Sequence, residues 1–261
     1  MQSKTFAELE ISPFLETVSK ELNSLLSDLK FDKDNPQHLY SICLYCSILS
    51  ISQSCVLLIT NNHLVSFPIL LRSLVEAHVD LINSLKDPVY FKKMYLGYLG
   101  EKKRLFKNVK DNPSNPFFKT IISSMNLDEE IRKVEDEVNR IKSESIKQLS
   151  VWDRFLEACL EDIYQFVYWN LCLYTHNNAR ALERRHIKMT NDSYEIILDE
   201  NESLDNWLPY IDTLLGILID SSVRIHAFLE TTAESYFSAL KERFDELRKR
   251  YPENKLSKIE E

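Results

Sequence analysis

Glycine is nearly absent from this chain, which carries only three glycines in 261 residues. Tight hairpin turns, β-bulges and phosphate-cradling loops depend on the backbone freedom that glycine supplies. A sheet-rich fold or a nucleotide-binding loop is therefore disfavoured. The sequence predicts an all-α protein, a single-domain multi-helix bundle over residues 1–261, with its core at about 12–110 and 150–251.

The charge and the cysteines narrow the class of protein. The net charge is −8, whereas general nucleic-acid binders usually carry a basic excess. Five cysteines lie in apolar stretches that are typical of helices, and we expect them to be buried and free in a reducing cytoplasm: Cys43, Cys46, Cys55, Cys159 and Cys172. Because no second pair or histidine completes the C-x-x-C of Cys43 and Cys46 at ligand spacing, we predict no metal and no cofactor.

An uncharged segment raises the question of a membrane. No Asp, Glu, Lys or Arg occurs from Asn35 through Leu71, and the part from Leu39 to Thr60 is long enough to span a bilayer. That part also contains five serines and a glutamine and lacks a basic flank. We therefore predict a buried central helix and no membrane partner.

Capping residues and prolines predict where helices begin. The patterns at Ser12, Asn35 and Ser66, each with a proline one or two residues later, are typical of helix starts. Ser150, with Asp153 three residues later, predicts the start of a long helical region that is broken once near Tyr164. Residues 190–200 are polar around a short apolar run and could hold a brief extended excursion.

A charged segment at 127–148 predicts a protruding helical arm. Its apolar residues form one narrow stripe at spacings of three and four: Ile131, Val134, Val138 and Ile141. The stripe suits contact with one neighbouring helix, either in a partner or in the protein itself. We predict a homo-oligomer through this arm or through the C-terminal helices at about 205–251, while packing of the stripe onto its own domain stays open.

The best candidate site begins on the third helix. Arg72 and Glu76 lie four residues apart, with Asp80 and Asn83 on the same face of an otherwise apolar helix. The pair is either an ordinary exposed ion pair or a partly buried pair lining an interhelical polar site. Because so apolar a helix leaves little surface for water, we predict that Arg72 and Glu76 contact the later helix at 168–180.

That later helix offers matching polar residues. Tyr168, Cys172, His176 and Arg180 repeat every four residues and so form one row. A histidine in such a row can satisfy a core hydrogen bond, carry a proton or bind the third helix. These residues, together with Arg72 and Glu76, are the candidate functional side chains.

Two short motifs resemble a large, mainly bacterial family of helical proteins of unknown function. They are the R-x-x-x-E segment from Arg72 to Glu76 and the Y-x-x-L-x-x-x-x-H segment from Tyr168 to His176. The resemblance covers roughly residues 35–230 and implies a helical, intracellular bacterial protein without an established activity. The family pattern carries a serine where this chain has Cys172, which puts any role for that hydroxyl in doubt.

A second resemblance is to HEPN ribonucleases, in which an arginine precedes a histidine by four to six residues. Arg72 to His78 and Arg180 to His186 fit that spacing. The resemblance implies metal-independent RNA cleavage across a dimer in a toxin or phage-defence system, with His186 as base and Arg180 stabilising the phosphate. RNA is an expected partner under this hypothesis alone.

Three functional hypotheses follow from the sequence. The first is a helical protein with an interhelical polar site and no assignable activity. The second is the HEPN-like endoribonuclease, and the third is a helical interaction module. The chain has no H-E-x-x-H, G-x-S-x-G or Walker motif that would indicate another enzyme class.

Overall fold

Helices form almost all of the regular structure in the computed structural model. It describes residues 7–61, 63–175, 179–189, 193–197 and 204–251, without the side chains of residues 7, 8, 180, 181, 184 and 185. The helices are α1 (Ser12–Ser24), α2 (Pro36–Thr60), α3 (Phe67–Lys86), α4 (Tyr90–Asp111), α5 (Lys119–Ser124), α6 (Leu127–Ser143), α7 (Val151–Ala158), α8 (Trp169–Thr175), α9 (Ala179–His186), α10 (Leu208–Phe228) and α11 (Glu234–Arg248). A small antiparallel hairpin joins β1 (Ile187–Met189) to β2 (Tyr194–Ile196). The predicted all-α fold is confirmed, and the extended excursion is this hairpin.

The helix starts follow from local capping chemistry. The Asn35 side chain accepts a hydrogen bond from the backbone N–H of Gln37 at the start of α2. At the start of α7, Ser150 and Asp153 form a reciprocal capping box, as their spacing predicts. These bonds satisfy backbone N–H groups that the first helical turn leaves without a partner.

Helix α3 lies at the centre of the fold, packed against α2, α7, α8 and α10. All residues from 78 to 84 are buried, so the second half of the helix is covered on every side. Buried serines bond across helices, with Ser41 Oγ 2.8 Å from Ser84 Oγ. The Tyr45 hydroxyl lies 2.9 Å from Ser222 Oγ in the same way. Because buried hydroxyls are costly without partners, these bonds fix how the central helices meet.

Helix α2 is only partly buried. By length and composition it is apolar enough to cross a membrane, and 44% of its most apolar part is buried within the protein. Its inner side packs on α1, α3 and α10, whereas Cys43 and Cys46 lie on the outer side and are exposed. The predicted burial of the cysteines is therefore wrong for these two and for Cys159, while Cys55 is buried and Cys172 half-buried. All five thiols are free.

The chain from 150 to 175 departs from one long helix. Cys159 ends α7 with a left-handed backbone, φ 59°. The chain then re-enters a helical path as a π-helical segment, Ile163–Tyr168, which leads directly into α8. The break therefore comes at Cys159 rather than near Tyr164, and a π-helical turn brings Tyr168 to the face of α3.

The charged segment at 127–148 packs along α4. Val134 and Ile141 of α6 are buried, and with Leu96, Leu99, Phe106 and Ile146 they form a small apolar core separate from the main one. The predicted apolar stripe thus packs within the protein, which was the alternative that the sequence left open.

At the other end of the chain, α11 packs on α10, and its Phe244 stacks on Phe14 of α1.

Candidate functional site

Polar side chains meet where α3 faces α4, α7 and α8, and we call this group the polar cluster. Its members are Arg72, Glu76, Asp80 and Asn83 of α3, Tyr90 of α4, Arg154 of α7 and Tyr168 of the π-helical segment. The α3 members recur every three or four residues, which places them along one face. Three other elements each contribute one side chain to that face.

The outer half of the polar cluster joins Arg72, Glu76 and Tyr168. The Tyr168 hydroxyl donates a 2.7 Å hydrogen bond to Glu76 Oε1 and accepts one of 2.8 Å from Arg72 Nη2. The same Nη2 lies 3.0 Å from Glu76 Oε1. The Arg72 guanidinium also lies 5.1 Å from the centroid of the Tyr168 ring, within the range of a cation–π contact. The predicted contact between Arg72, Glu76 and the later helical region is confirmed at Tyr168.

The inner half is built around Arg154. Its Nη1 donates to both carboxylate oxygens of Asp80, at 3.1 and 3.0 Å. The Tyr90 hydroxyl donates to Asp80 Oδ1 at 2.7 Å, and Asn83 Nδ2 donates to the Arg154 carbonyl at 2.8 Å. Arg154 Nη2 lies 3.8 Å from Glu76 Oε2 and so links the two halves. Glu76 thereby has one guanidinium beside each carboxylate oxygen.

The surroundings of the cluster hold its tyrosines and arginines in one protonation state. Burial raises the pKa of Tyr168, and its hydrogen bond to Glu76 raises it further. Burial also raises the pKa of Tyr90, beside the Asp80 carboxylate. Burial lowers the pKa of Arg154, but the charges of Asp80 and Glu76 outweigh that effect and raise it overall. Near neutral pH the tyrosines therefore remain neutral and the arginines charged.

One hydrogen-bond donor of the polar cluster, on Arg72, makes no hydrogen bond to the described residues. Burial lowers the pKa of Arg72, while the neighbouring Cys172 thiol and the Glu76 charge raise it overall. Despite these neighbours, Arg72 Nε is buried and has no hydrogen-bond partner in the described part of the chain. The side chains of Arg72, Glu76 and Arg154 remain 23%, 27% and 22% exposed, so the outer edge of the cluster meets solvent. Within the same described ranges, no group of three or more His, Cys, Asp or Glu is placed to hold a metal ion.

Aromatic rings support the cluster from the side of α7. The Tyr168 ring stacks on Tyr164 at 5.4 Å and lies 5.0 Å from Phe155. Trp152 packs edge-on against Tyr164 at 5.0 Å. These contacts fix the Tyr168 ring, and the irregular π-helical turn that precedes α8 is a feature often found at functional sites.

The other predicted site residues either lie away from the polar cluster or fall outside the part of the chain that the structure describes. His176 lies outside the described residues, and the side chain of Arg180 in α9 does as well. His186 ends α9, and its Nδ1 lies 3.0 Å from the carbonyl oxygen of Ile197, the residue that follows β2. The hydrogen bond that the structure gives His186 is thus with the end of the hairpin segment rather than with the polar cluster.

Two members of the polar cluster were missed by sequence reasoning. Arg154 lies 74 residues from Asp80, and Tyr90 sits at the start of an aromatic helix. The only local signal was that Arg154 is a lone basic residue in the aromatic stretch that follows the capping box. No periodic pattern connects it to α3.

His78 is a buried histidine on α3, and its environment differs from that of Arg72, six residues before it. His78 Nδ1 lies 2.7 Å from Ser221 Oγ, and Nε2 lies 3.4 Å from Asp220 Oδ2. This resembles a serine, histidine and aspartate arrangement, but Ser221 is fully buried and cannot meet a substrate. Because His78 bonds to α10 while Arg72 bonds to Tyr168, this pair is not arranged to share an RNA phosphate.

Comparison with known proteins identifies a family by sequence. The model of a family described as a family of unknown function, DUF5677, matches residues 38–194, which is more than half of the chain. No curated protein and no solved structure gave a significant match. The matched range includes every member of the polar cluster.

Proposed function

Because this chain belongs to DUF5677, a family of unknown function, we propose a function from geometry alone: the polar cluster binds an anionic group and does no acid–base chemistry on it. One observation carries the proposal. Arg72 and Arg154 flank the two oxygens of Glu76, and Arg72 still has a buried Nε donor that finds no partner among the residues that the structure describes. The polar cluster therefore has a hydrogen-bond donor that its own acceptors leave unsatisfied.

A surplus of donors favours an anion over a cation. Both carboxylates of the cluster are already beside a guanidinium, so neither is free to bind a positive charge. A guanidinium presents several N–H groups in a planar fork that matches a carboxylate or a phosphate. Such a group could reach Arg72 and Arg154 from the solvent edge, where it would compete with Glu76.

Binding fits the pKa values better than catalysis does. General acid–base catalysis needs a group whose pKa lies near the working pH. The pKa of Tyr168 and of both arginines moves away from neutral pH. Burial does raise the pKa of Asp80, but this carboxylate is bonded to Arg154 and Tyr90 on the inner side of the cluster.

The test uses inorganic phosphate and a small dicarboxylate as probes. We expect each to raise the melting temperature of the wild-type protein and to give a saturable titration by calorimetry, since a ligand that binds only the folded state stabilises it. Arg72→Gln should abolish both effects. The matched control is Arg243→Gln, which removes a surface arginine paired with Glu21 and should bind like wild type. Equal binding by Arg72→Gln and wild type would contradict the proposal.

The ribonuclease hypothesis stays a prediction that rests on the spacing of Arg180 and His186. Its test is RNA integrity during expression of wild type beside His186→Ala and His176→Ala. Degradation that depends on His186 would support cleavage and would count against a purely binding role. A cytoplasmic location is also part of our proposal, and the five free cysteines support it because they suit a reducing compartment.

A further inference from the structure

Two free thiols lie together on the outer side of α2. Cys43 and Cys46 are both exposed, and we call them the dithiol pair. They are three residues apart within one continuous helix, so their side chains lie on the same face. Burial raises the pKa of the Cys46 thiol, and the nearby Cys43 thiol raises it further. The two sulfurs are therefore close enough to influence one another.

The helical spacing of the dithiol pair is too wide for a disulfide. Side chains three residues apart on a helix have their Cβ atoms about 5–6 Å apart. A disulfide requires a Cβ separation of about 3.5–4.5 Å, so its formation would distort the middle of α2. An ion held between the two sulfurs adds its own diameter to the span. The spacing therefore favours one bridging ion over a direct sulfur–sulfur bond.

The number of ligands determines which ions fit. Among the residues that the structure describes, no group of three or more His, Cys, Asp or Glu is placed to hold a metal. A structural zinc ion takes four such ligands, and an iron–sulfur cluster takes four cysteines, so the dithiol pair alone suits neither. Monovalent copper is a soft ion that thiolates select. Two thiolates on opposite sides of this ion complete its coordination.

The surroundings of the dithiol pair also favour a soft ion. Helix α2 carries no Asp or Glu, so it offers no carboxylate oxygen that would attract a hard cation such as Mg²⁺ or Ca²⁺. It carries no Lys or Arg either, so no cation on the same helix repels an incoming metal ion. The thiols are therefore the strongest metal ligands on this side of α2.

We propose that the dithiol pair binds one monovalent copper ion through both sulfurs. Each thiol releases its proton to solvent as its sulfur bonds to the ion, so two thiolates and one Cu(I) form a complex with one net negative charge. The backbone of α2 already holds the two side chains on one face, which lowers the cost of ordering them. Because both residues are exposed, the ion can exchange with thiols outside the protein.

Transfer of copper from a coloured chelator complex tests this site. The full chain, reduced and kept free of oxygen, is titrated into the Cu(I) complex of bicinchoninate, whose colour fades as the protein takes the ion. Wild type should take one Cu(I) per chain and show two sulfur neighbours by X-ray absorption. Cys43→Ser and Cys46→Ser should each weaken binding by more than about a hundredfold, since even loss of a group that only supports a metal ligand costs about 10–100-fold.

The matched control is Cys159→Ser, which removes an exposed thiol at the end of α7 and should bind copper like wild type. Serine is similar in size to cysteine and both members of the pair are exposed, so circular dichroism should show an unchanged fold in their variants. Copper uptake that Cys43→Ser and Cys46→Ser leave unchanged overturns the proposal. So does uptake that Cys159→Ser lowers equally, because any exposed thiol would then suffice.

Two further measurements separate this site from its alternatives. Zn²⁺ should bind the reduced protein far more weakly than Cu(I), because the pair supplies only two of four ligands. Tight binding of Zn²⁺ would overturn the two-ligand site. Mass spectrometry after exposure to air should find both thiols free, whereas a ready disulfide between Cys43 and Cys46 would overturn the proposal in favour of a redox role.

Discussion

The hydroxyl of Tyr168 donates a 2.7 Å hydrogen bond to Glu76 across 92 residues of sequence. The same hydroxyl accepts from Arg72, so one side chain satisfies both charged residues of the α3 pair. This relationship makes Arg72 and Glu76 part of an interhelical site. Both bonds depend on one atom, the hydroxyl oxygen of Tyr168.

Removal of the Tyr168 hydroxyl should loosen the outer half of the polar cluster. Tyr168→Phe keeps the stacked ring but leaves Glu76 and Arg72 each without one bond, at a cost of about 1–2 kcal/mol in the free energy of unfolding. Urea unfolding of wild type and variant would measure this difference in the free energy of unfolding. Tyr98→Phe is the control, since Tyr98 is 55% exposed and should lose little stability. Equal changes in both variants would contradict a role for the hydroxyl.

The inner half should show strong coupling between Asp80 and Arg154. Asp80→Asn leaves the Arg154 guanidinium without its main counter-charge, and we expect a loss of about 2–3 kcal/mol in the free energy of unfolding. The double variant with Arg154→Gln should lose less than the two single variants combined. A double-mutant cycle by urea unfolding measures this difference, and strictly additive losses would show that the pair is not coupled. Glu129→Gln, in an exposed ion pair, is the control for a lost surface charge.

Acid should destabilise the protein through His78. Burial lowers the pKa of His78 from its ordinary 6.5 to about 4, because the charged ring would be poorly solvated. Between these values the unfolded chain binds a proton that the folded protein does not, so stability is lost as the pH falls. The loss approaches about 3 kcal/mol over that window.

Unfolding experiments at a series of pH values would isolate this effect. His78→Asn retains a polar group near Ser221 but cannot take up the proton, so its stability should change less between pH 6.5 and pH 4 than that of wild type. If His78→Asn does not fold, His78→Gln offers the same test. Parallel pH profiles for wild type and variant would rule out His78 as the source.

The apolar stripe of α6 should behave as the core of a local unit. Val134→Asp with Val138→Asp places charges against α4, so α6 should open and its amide hydrogens should exchange faster than those of α3. Asp136→Asn, on the exposed side of the same helix, is the control. If the double variant keeps its exchange protection but loses self-association, the arm is a partner contact, as the sequence first suggested.

Local sequence patterns determined the helices and one face of the site. Capping residues gave the starts of α2 and α7, because those bonds form within a single helical turn. The spacing of Arg72 and Glu76 gave their shared face, since residues four apart on a helix are neighbours. The apolar stripe of α6 could likewise be read directly from its period.

Only the tertiary structure decided what these faces meet. Arg154 lies 74 residues from Asp80 and Tyr168 lies 92 residues from Glu76, and no local period encodes such pairings. The covering of the α6 stripe by α4 and the exposure of Cys43 and Cys46 were decided in the same way. A helical pattern fixes the direction of each side chain about its own axis, whereas the partner depends on how whole helices pack to bury the most apolar surface.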